Sequence, residues 1–247
     1  RRFGKSLLIS TLKSYYLGKK ELFKGLAIEE LEKDWKTYPV FHLDFGIGTY
    51  ANANALDQVL DTYLSEWEEE YKVERRANIT DFSLRFKKII EEAHRQSGLR
   101  AVVLIDEYDK PLLDVLDSGL KTFDSEGNER LLEDRHREIM KGFYSVFKAA
   151  DRDLKFVLLT GVTKFSQVSV FSGFNQPNDI SMDDHYEALC GITEEELYST
   201  FDEQIKAMSV RYKVSEDEMK HRLKRKYDGY HFSPSMLDIY NPFSILN

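Results

Sequence analysis

Ala101-Val102-Val103-Leu104-Ile105-Asp106-Glu107-Tyr108-Asp109-Lys110-Pro111 opens with five apolar residues, three of them β-branched, and then stops abruptly at two carboxylates. An unbroken apolar run of this length reads as a strand buried on both faces, as in a parallel sheet covered by helices. Acidic groups at the carboxyl end of such a strand lie where open α/β sheets bind ligands. Taken alone, Asp106-Glu107 fits a solvated strand end equally well. What lifts it above that is a second stretch at the start of the chain.

That stretch is Arg1-Arg2-Phe3-Gly4-Lys5-Ser6, which runs into the helical pattern Leu7, Leu8, Leu12, Tyr15. Gly-Lys-Ser entering a helix is the second half of a phosphate-binding loop, G-x-x-x-x-G-K-[ST]. Gly4 permits the tight turn, and the amides of Arg2 to Leu7 offer a cradle at a helix N-terminus, where dipole and unpaired N–H groups favour an anion. Lys5 is placed to reach the β- and γ-phosphates, and the Ser6 hydroxyl to ligate Mg²⁺. Arg1 and Arg2 either neutralise phosphate charge or are simply solvated. The first glycine of the pattern would precede Arg1, so the sequence opens in mid-loop. Gly-Lys-Ser is a weak signal alone. A buried strand ending in Asp-Glu about a hundred residues later makes it a strong one.

Further blocks carry a family resemblance. Arg1-Arg2-Phe3-Gly4-Lys5-Ser6-Leu7, Ile105-Asp106-Glu107-Tyr108-Asp109-Lys110-Pro111 and Leu159-Thr160-Gly161-Val162-Thr163-Lys164-Phe165-Ser166 follow one another in order. They are joined by Phe171-Ser172-Gly173-Phe174-Asn175 with Asp179-Ile180, by Tyr227-Asp228-Gly229-Tyr230-His231-Phe232 and by Tyr240-Asn241-Pro242-Phe243-Ser244. Together they resemble the AAA-ATPase-like family of bacterial and archaeal P-loop proteins. The resemblance implies ATP as ligand, Asp106 in the Mg²⁺ shell and Glu107 polarising the attacking water. It also implies that full-length members often carry a downstream nuclease-like domain of the PD-(D/E)XK type. Tyr108-Asp109-Lys110 lacks the acidic-x-lysine spacing of such a nuclease.

Composition bounds the rest. The 247 residues suit one large α/β domain or such a domain with a helical appendage, and 42% hydrophobic residues supply a core. A net charge of −8 gives no global footprint of nucleic-acid binding, so direct contact with nucleic acid is not expected. The single cysteine, Cys190, leaves no internal disulfide framework and no multi-cysteine zinc site, and it fits a reduced, cytoplasmic setting. No apolar run approaches the roughly 20 residues that span a bilayer. The six histidines are scattered, which excludes a ligand pair on one helix face.

Along the chain, Gly18 reads as a helix stop. Tyr38 to Phe45 reads as a strand with Pro39 at its start, ending in Asp44, which either caps nearby backbone or joins the chemistry. Leu56, Val59, Leu60, Tyr63, Leu64, Trp67 and Tyr71 predict one amphipathic helix, and Phe82, Phe86, Ile89, Ile90 and Ala93 another. Residues 117–128 are expected to form an exposed loop, Leu132 to Phe147 a long helix, and Lys155 to Thr160 a second buried strand. Alternating strands and helices give a parallel sheet with right-handed crossovers. Beyond about residue 190 the strands are expected to cease. Thr193 with Glu196 and Ser215 with Glu218 predict capping boxes, opening helices over Leu197 to Met208 and around Met219 and Leu223.

The expected architecture is a three-layer P-loop NTPase sandwich over residues 1–189, followed by a helical lid-like subdomain over 190–247. Candidate catalytic residues are Lys5, Glu107, Thr163 and Lys164. Nucleotide-binding candidates are Arg2, Phe3, Gly4, Lys5, Ser6, Leu7 and Thr160, and the metal ligands are Ser6 and Asp106. Thr160, Thr163 and Lys164 sense the γ-phosphate or stabilise a turn. The Tyr227–Phe232 block packs the lid, with Asp228 and His231 as a weaker candidate pair. The expected activity is Mg²⁺-dependent ATP hydrolysis coupled to a conformational output. Slow nucleotide-dependent switching, or an adaptor role for a nuclease-like partner, are the alternatives, and an oligomer is compatible with either. The gene is expected to extend in both directions.

Overall fold

The computed structural model describes residues 2–75, 80–162, 177–227, 230–232 and 235–246. The chain forms two compact units, residues 9–177 and residues 178–247 together with 1–8. Helix α1 spans Lys5–Tyr16, followed by a 3-10 turn at Lys20–Phe23 and the short α2, Ala27–Leu31. Next come β1 (Val40–Asp44), α3 (Ala55–Glu70), α4 (Phe82–Ser97), β2 (Ala101–Asp106) and α5 (Lys110–Leu113). The hairpin β3 (Lys121–Phe123) and β4 (Glu129–Leu131) leads to α6 (Leu132–Tyr144), α7 (Val146–Ala149) and β5 (Leu154–Leu159). The remaining elements are β6 (Ile192–Thr193), α8 (Glu194–Thr200), α9 (Asp202–Tyr212), α10 (Glu216–Tyr227), β7 (Ile239–Tyr240) and α11 (Pro242–Leu246).

In the larger unit β1, β2 and β5 form a parallel sheet with β2 in the middle. This mixed α/β architecture agrees with the alternating pattern of the sequence. Every residue of β2 is buried, because its two faces meet different cores. Ala101, Val103 and Ile105 join a core with Phe41, Leu43, Leu60, Trp67, Phe86 and Phe143. Val102 and Leu104 face the other way, against Ile9, Leu12 and Tyr16 of α1. Strand periodicity of two makes this division.

The helices of this unit start and stop where their sequences dictate. Asp81 caps α4 by accepting hydrogen bonds from Ser83 N at 2.8 Å and Leu84 N at 3.0 Å. Gly98 ends it in the left-handed conformation at φ 68°, where a side chain would be strained. Between α3 and α4, the buried Arg85 guanidinium reaches Glu68 through two hydrogen bonds, at 2.7 and 2.8 Å, and Asp61 at 2.5 Å. Buried charge is tolerated there because it is fully paired.

Several expectations need correction. Residues 117–128 contain the strand β3 and pair it with β4: Lys121 faces Leu131 and Phe123 faces Glu129. Their turn is held by Asp124, whose Oδ1 accepts from Glu126 N and Asn128 N at 2.9 and 2.8 Å. Strands also recur beyond residue 190, where β6 and β7 pair antiparallel. The helix expected over Leu132 to Phe147 divides at Ser145 into α6 and α7, and the one expected over Leu197 to Met208 divides at Phe201 into α8 and α9. Thr193 and Glu196 form a complete capping box. Ser215 Oγ accepts from Glu218 N at 3.1 Å, as its capping place suggests, and the Glu218 carboxylate accepts from Arg222 at 2.8 Å.

Candidate functional site

The tip of β2 carries a buried, hydrogen-bonded carboxylate. Asp106 is 4% exposed, and its Oδ1 accepts the Thr160 hydroxyl at 2.5 Å and the Glu107 amide at 3.0 Å. Thr160 continues β5, since its N donates to Ile105 O at 2.8 Å and its O accepts from Tyr108 N at 2.9 Å. Asp106 therefore lies on the face shared with Val102 and Leu104, which α1 covers through Ile9. Glu107 adopts φ 53°, a left-handed conformation that only a minority of non-glycine residues accept. Its carboxylate is thereby turned off the strand's alternation. Lys110 N donates to Glu107 O at 3.0 Å and closes the turn into α5.

On the neighbouring strand Asp44 stands in register with Asp106. Its Oδ1 accepts from Gly46 N at 2.7 Å, which is the capping role that its place at a strand end suggested. A Cβ on Gly46 would stand 2.8 Å from that oxygen, so a side chain there would push the Asp44 carboxylate off the amide. The Tyr63 hydroxyl accepts from Asp44 N at 3.1 Å and fixes the strand end from α3. His42 lies on the α1 face, and its Nε2 is buried with no hydrogen-bond partner. Burial, helped by Lys13, holds its imidazole below the usual value against the pull of Asp44 and Asp106.

The phosphate-loop candidates lie in the other unit. Gly4 has φ 94° and its carbonyl accepts from Leu8 N at 2.9 Å, so it stands at the entry to α1. Lys5 is half-buried, whereas Ser6 and Leu7 are exposed. Phe3 O accepts from Gly191 N at 2.9 Å. The Phe3 ring meets Tyr230 and Phe232 edge-on, with centroids 5.1 and 5.7 Å apart. The Arg2 guanidinium lies 3.8 Å from the centre of the Phe243 ring. Two late sequence blocks thus pack around the residues just before Gly4. Burial pushes the Cys190 thiol up, and Lys5 draws it partly back. Thr163, Lys164, Phe171 to Asn175, Asp228 and Gly229 lie outside the described residues.

Residues 1–171 match the model of a family described as "Predicted AAA-ATPase". The chain belongs to the AAA-ATPase-like family. A protein of Azotobacter chroococcum mcd 1, described as an uncharacterized protein in the vnfD 5' region, is 34% identical over 252 residues. The alignment takes in 100% of this chain and 43% of that protein, so this AAA-ATPase-like chain spans less than half of its relative's length. No solved structure matches.

Membership of a family of predicted ATPases ties this chain to ATP at the level of the family. Among the described residues, no three His, Cys, Asp or Glu gather into a metal cage, and no helix is long and apolar enough to cross a membrane. The sequence reading missed Asp109, which is fully buried and accepts from Val162 N at 2.8 Å. It also missed Gly161, where a Cβ would stand 2.7 Å from Asp109 Oδ1 and 2.7 Å from the Tyr108 ring. Asp109 sits in an acidic cluster that reads as solvated, and only the tertiary fold reveals its burial. The second strand, expected to be buried, is only half-buried in β5, with Lys155 exposed. Gly161 still carried a signal: glycine directly after an apolar strand run marks a close backbone approach.

Proposed function

We propose that this chain binds and hydrolyses ATP with Mg²⁺ as the nucleotide-binding module of a longer protein, in a P-loop sandwich with a helical lid. The observation that carries the reading is the buried Asp106 carboxylate, pinned through Oδ1 by Thr160 at the central strand's tip. Both of its hydrogen bonds fall on Oδ1, which leaves Oδ2 to meet a hydrated cation. Mg²⁺ is bound characteristically through one or two protein oxygens, waters and substrate phosphates, so this donor fits it. Asp106 and Ser6 would hold the ion, which supplies charge neutralisation for the phosphates. Gly4, Lys5 and the amides of Arg2 to Leu7 cradle the phosphates, with Lys5 facing the β- and γ-groups. Glu107 orients and deprotonates the attacking water, and Thr160, with Thr163 or Lys164, reads the γ-phosphate. The left-handed turn at Glu107 supports separate duties for two adjacent carboxylates.

The test is steady-state turnover and nucleotide binding by the full-length protein. Lys5→Ala abolishes binding, because it removes the main cation facing several phosphate charges. Glu107→Gln retains binding and slows hydrolysis roughly 10²-fold or more, the usual scale for losing a positioned base. Asp106→Asn weakens the Mg²⁺ dependence of binding. Tight ATP binding by Lys5→Ala, or unchanged turnover in both acidic variants, would sink the assignment. Binding without measurable turnover would favour the slow switch, and an output indifferent to Lys5 would favour the adaptor for a nuclease-like domain.

A further inference from the structure

Beyond Asp106 and Thr160, the tips of β2 and β5 are joined by contacts that the reaction described above does not use. Tyr108 N reaches back to Thr160 O at 2.9 Å, and one residue later the Asp109 carboxylate takes the Val162 amide at 2.8 Å. Asp109 is fully buried, although it belongs to a turn and not to the strand. Gly161 is squeezed between the two: any Cβ there would strike Asp109 Oδ1 and Cγ at 2.7 and 2.8 Å and the Tyr108 ring at 2.7 Å. The Tyr144 hydroxyl donates to Tyr108 O at 3.4 Å and packs this turn from α6.

Burying a carboxylate is costly, since the group loses its hydration. Such groups persist where the position they enforce has value. Here the enforced position is that of residues 160–162 against residues 106–109. The Thr160 hydroxyl can keep its short bond to Asp106 only while its own backbone is held at that spacing.

We propose that Asp109 is a positioning residue for ATP hydrolysis. It clamps the chain after Thr160 onto the acidic turn, so that the Thr160 hydroxyl stays on Asp106 and Glu107 keeps its left-handed conformation. The clamp rests on the function proposed above. It acts on the hydrolytic step and not on capture of the nucleotide, because Asp109 is closed off from solvent and offers nothing to a ligand.

The experiment compares Asp109→Ala, Asp109→Asn and Gly161→Ala in the full-length protein, with ATP as substrate and a non-hydrolysable ATP analogue as binding probe. In Asp109→Ala the turnover number falls about 10- to 100-fold, the range expected for misplacing catalytic groups by about an ångström. Analogue affinity stays within about threefold of the parent, because capture uses other groups. Asparagine retains an oxygen acceptor for the Val162 amide, so Asp109→Asn recovers most of the turnover. Gly161→Ala forces the same joint apart without touching the carboxylate, and it reproduces the loss. If Asp109→Ala does not fold, the asparagine and alanine variants at 109 and 161 still decide the matter.

Normal turnover in folded Asp109→Ala or Gly161→Ala would overturn the clamp and leave the ATPase reading standing. Equal losses in turnover and analogue affinity, with no rescue by asparagine, would also overturn it, as they indicate general damage to the fold. A parent protein that neither binds nor hydrolyses ATP would overturn the function itself, and the clamp's role with it.

Discussion

Glu107 is where local strain and proposed chemistry coincide. A left-handed conformation costs an ordinary L-residue about 1–2 kcal/mol, and glycine escapes that cost while losing about 0.5–1 kcal/mol in chain entropy. Glu107→Gly should therefore match or exceed the parent in stability, by up to about 1.5 kcal/mol, and yet lose hydrolysis. Glu107→Val, β-branched at the same φ of 53°, should be destabilised by more than about 1 kcal/mol. Denaturant unfolding of both variants checks the pair. Equal stabilities for glycine and valine would show that the turn carries no strain. At this scale the sequence was readable for Asp106 and Thr160, because each ends an apolar run at a point where side chains stop being core. It was unreadable for Asp109. Nothing in Asp106-Glu107-Tyr108-Asp109 tells a buried carboxylate from a solvated one, since residues that pack against it, Gly161 among them, lie far off in the chain.

Among the elements, β2 is the one that the fold can least afford to loosen. Leu104 is fully buried between β1, β5 and α1, with no neighbouring solvent to fill a void. Leu104→Ala should cost about 2–5 kcal/mol, against less than about 1 kcal/mol for Leu7→Ala, which is 70% exposed on α1. Similar costs at the two positions would contradict the two-sided core. The same contrast explains which elements could be read in advance. The strands β1, β2 and β5 and the helices α3 and α4 announce themselves through apolar runs or three-and-four spacing, with Gly98 closing α4. The hairpin β3–β4 and the pair β6–β7 do not. Strands of two or three residues hold too few positions to show a period, and their pairing comes from the partner strand. At Phe201 the apolar spacing continues straight through a break in the helix, at φ −110° and ψ 25°, so periodicity alone joins what the backbone separates.

At the scale of the whole molecule, the fold makes two imidazoles harder to protonate. His42 and His136 are both held below the usual histidine value, chiefly by burial, although the carbonyl of Tyr50 partly opposes this at His136. An unfolded chain takes up protons at these positions near pH 6.5, and the folded chain resists doing so. Their contribution to stability is complete above about pH 6.5 and is lost as the pH falls from there towards the lowered folded values. His136→Gln keeps an N–H donor for Tyr50 O, which His136 Nε2 meets at 2.8 Å, but does not titrate. The variant should show a shallower loss of unfolding free energy between about pH 7 and pH 5. An identical slope would mean that His136 is not among the groups responsible.

The parallel pairing of the sheet also has a consequence for how the protein comes into being. β2 meets β1 only across the detour through α3 and α4, and it meets β5 only across the hairpin and α6. Such non-local ladders are closed late and slowly. On the ribosome, Asp106 emerges well before the hydroxyl that will hold it, and until Thr160 follows, one flank of β2 has no neighbour among the described strands. A nascent chain halted ahead of β5 should remain open to protease, and resistance should arrive abruptly once Val162 has cleared the exit tunnel. Gradual protection that grows with each added helix would instead point to a sheet assembled strand by strand.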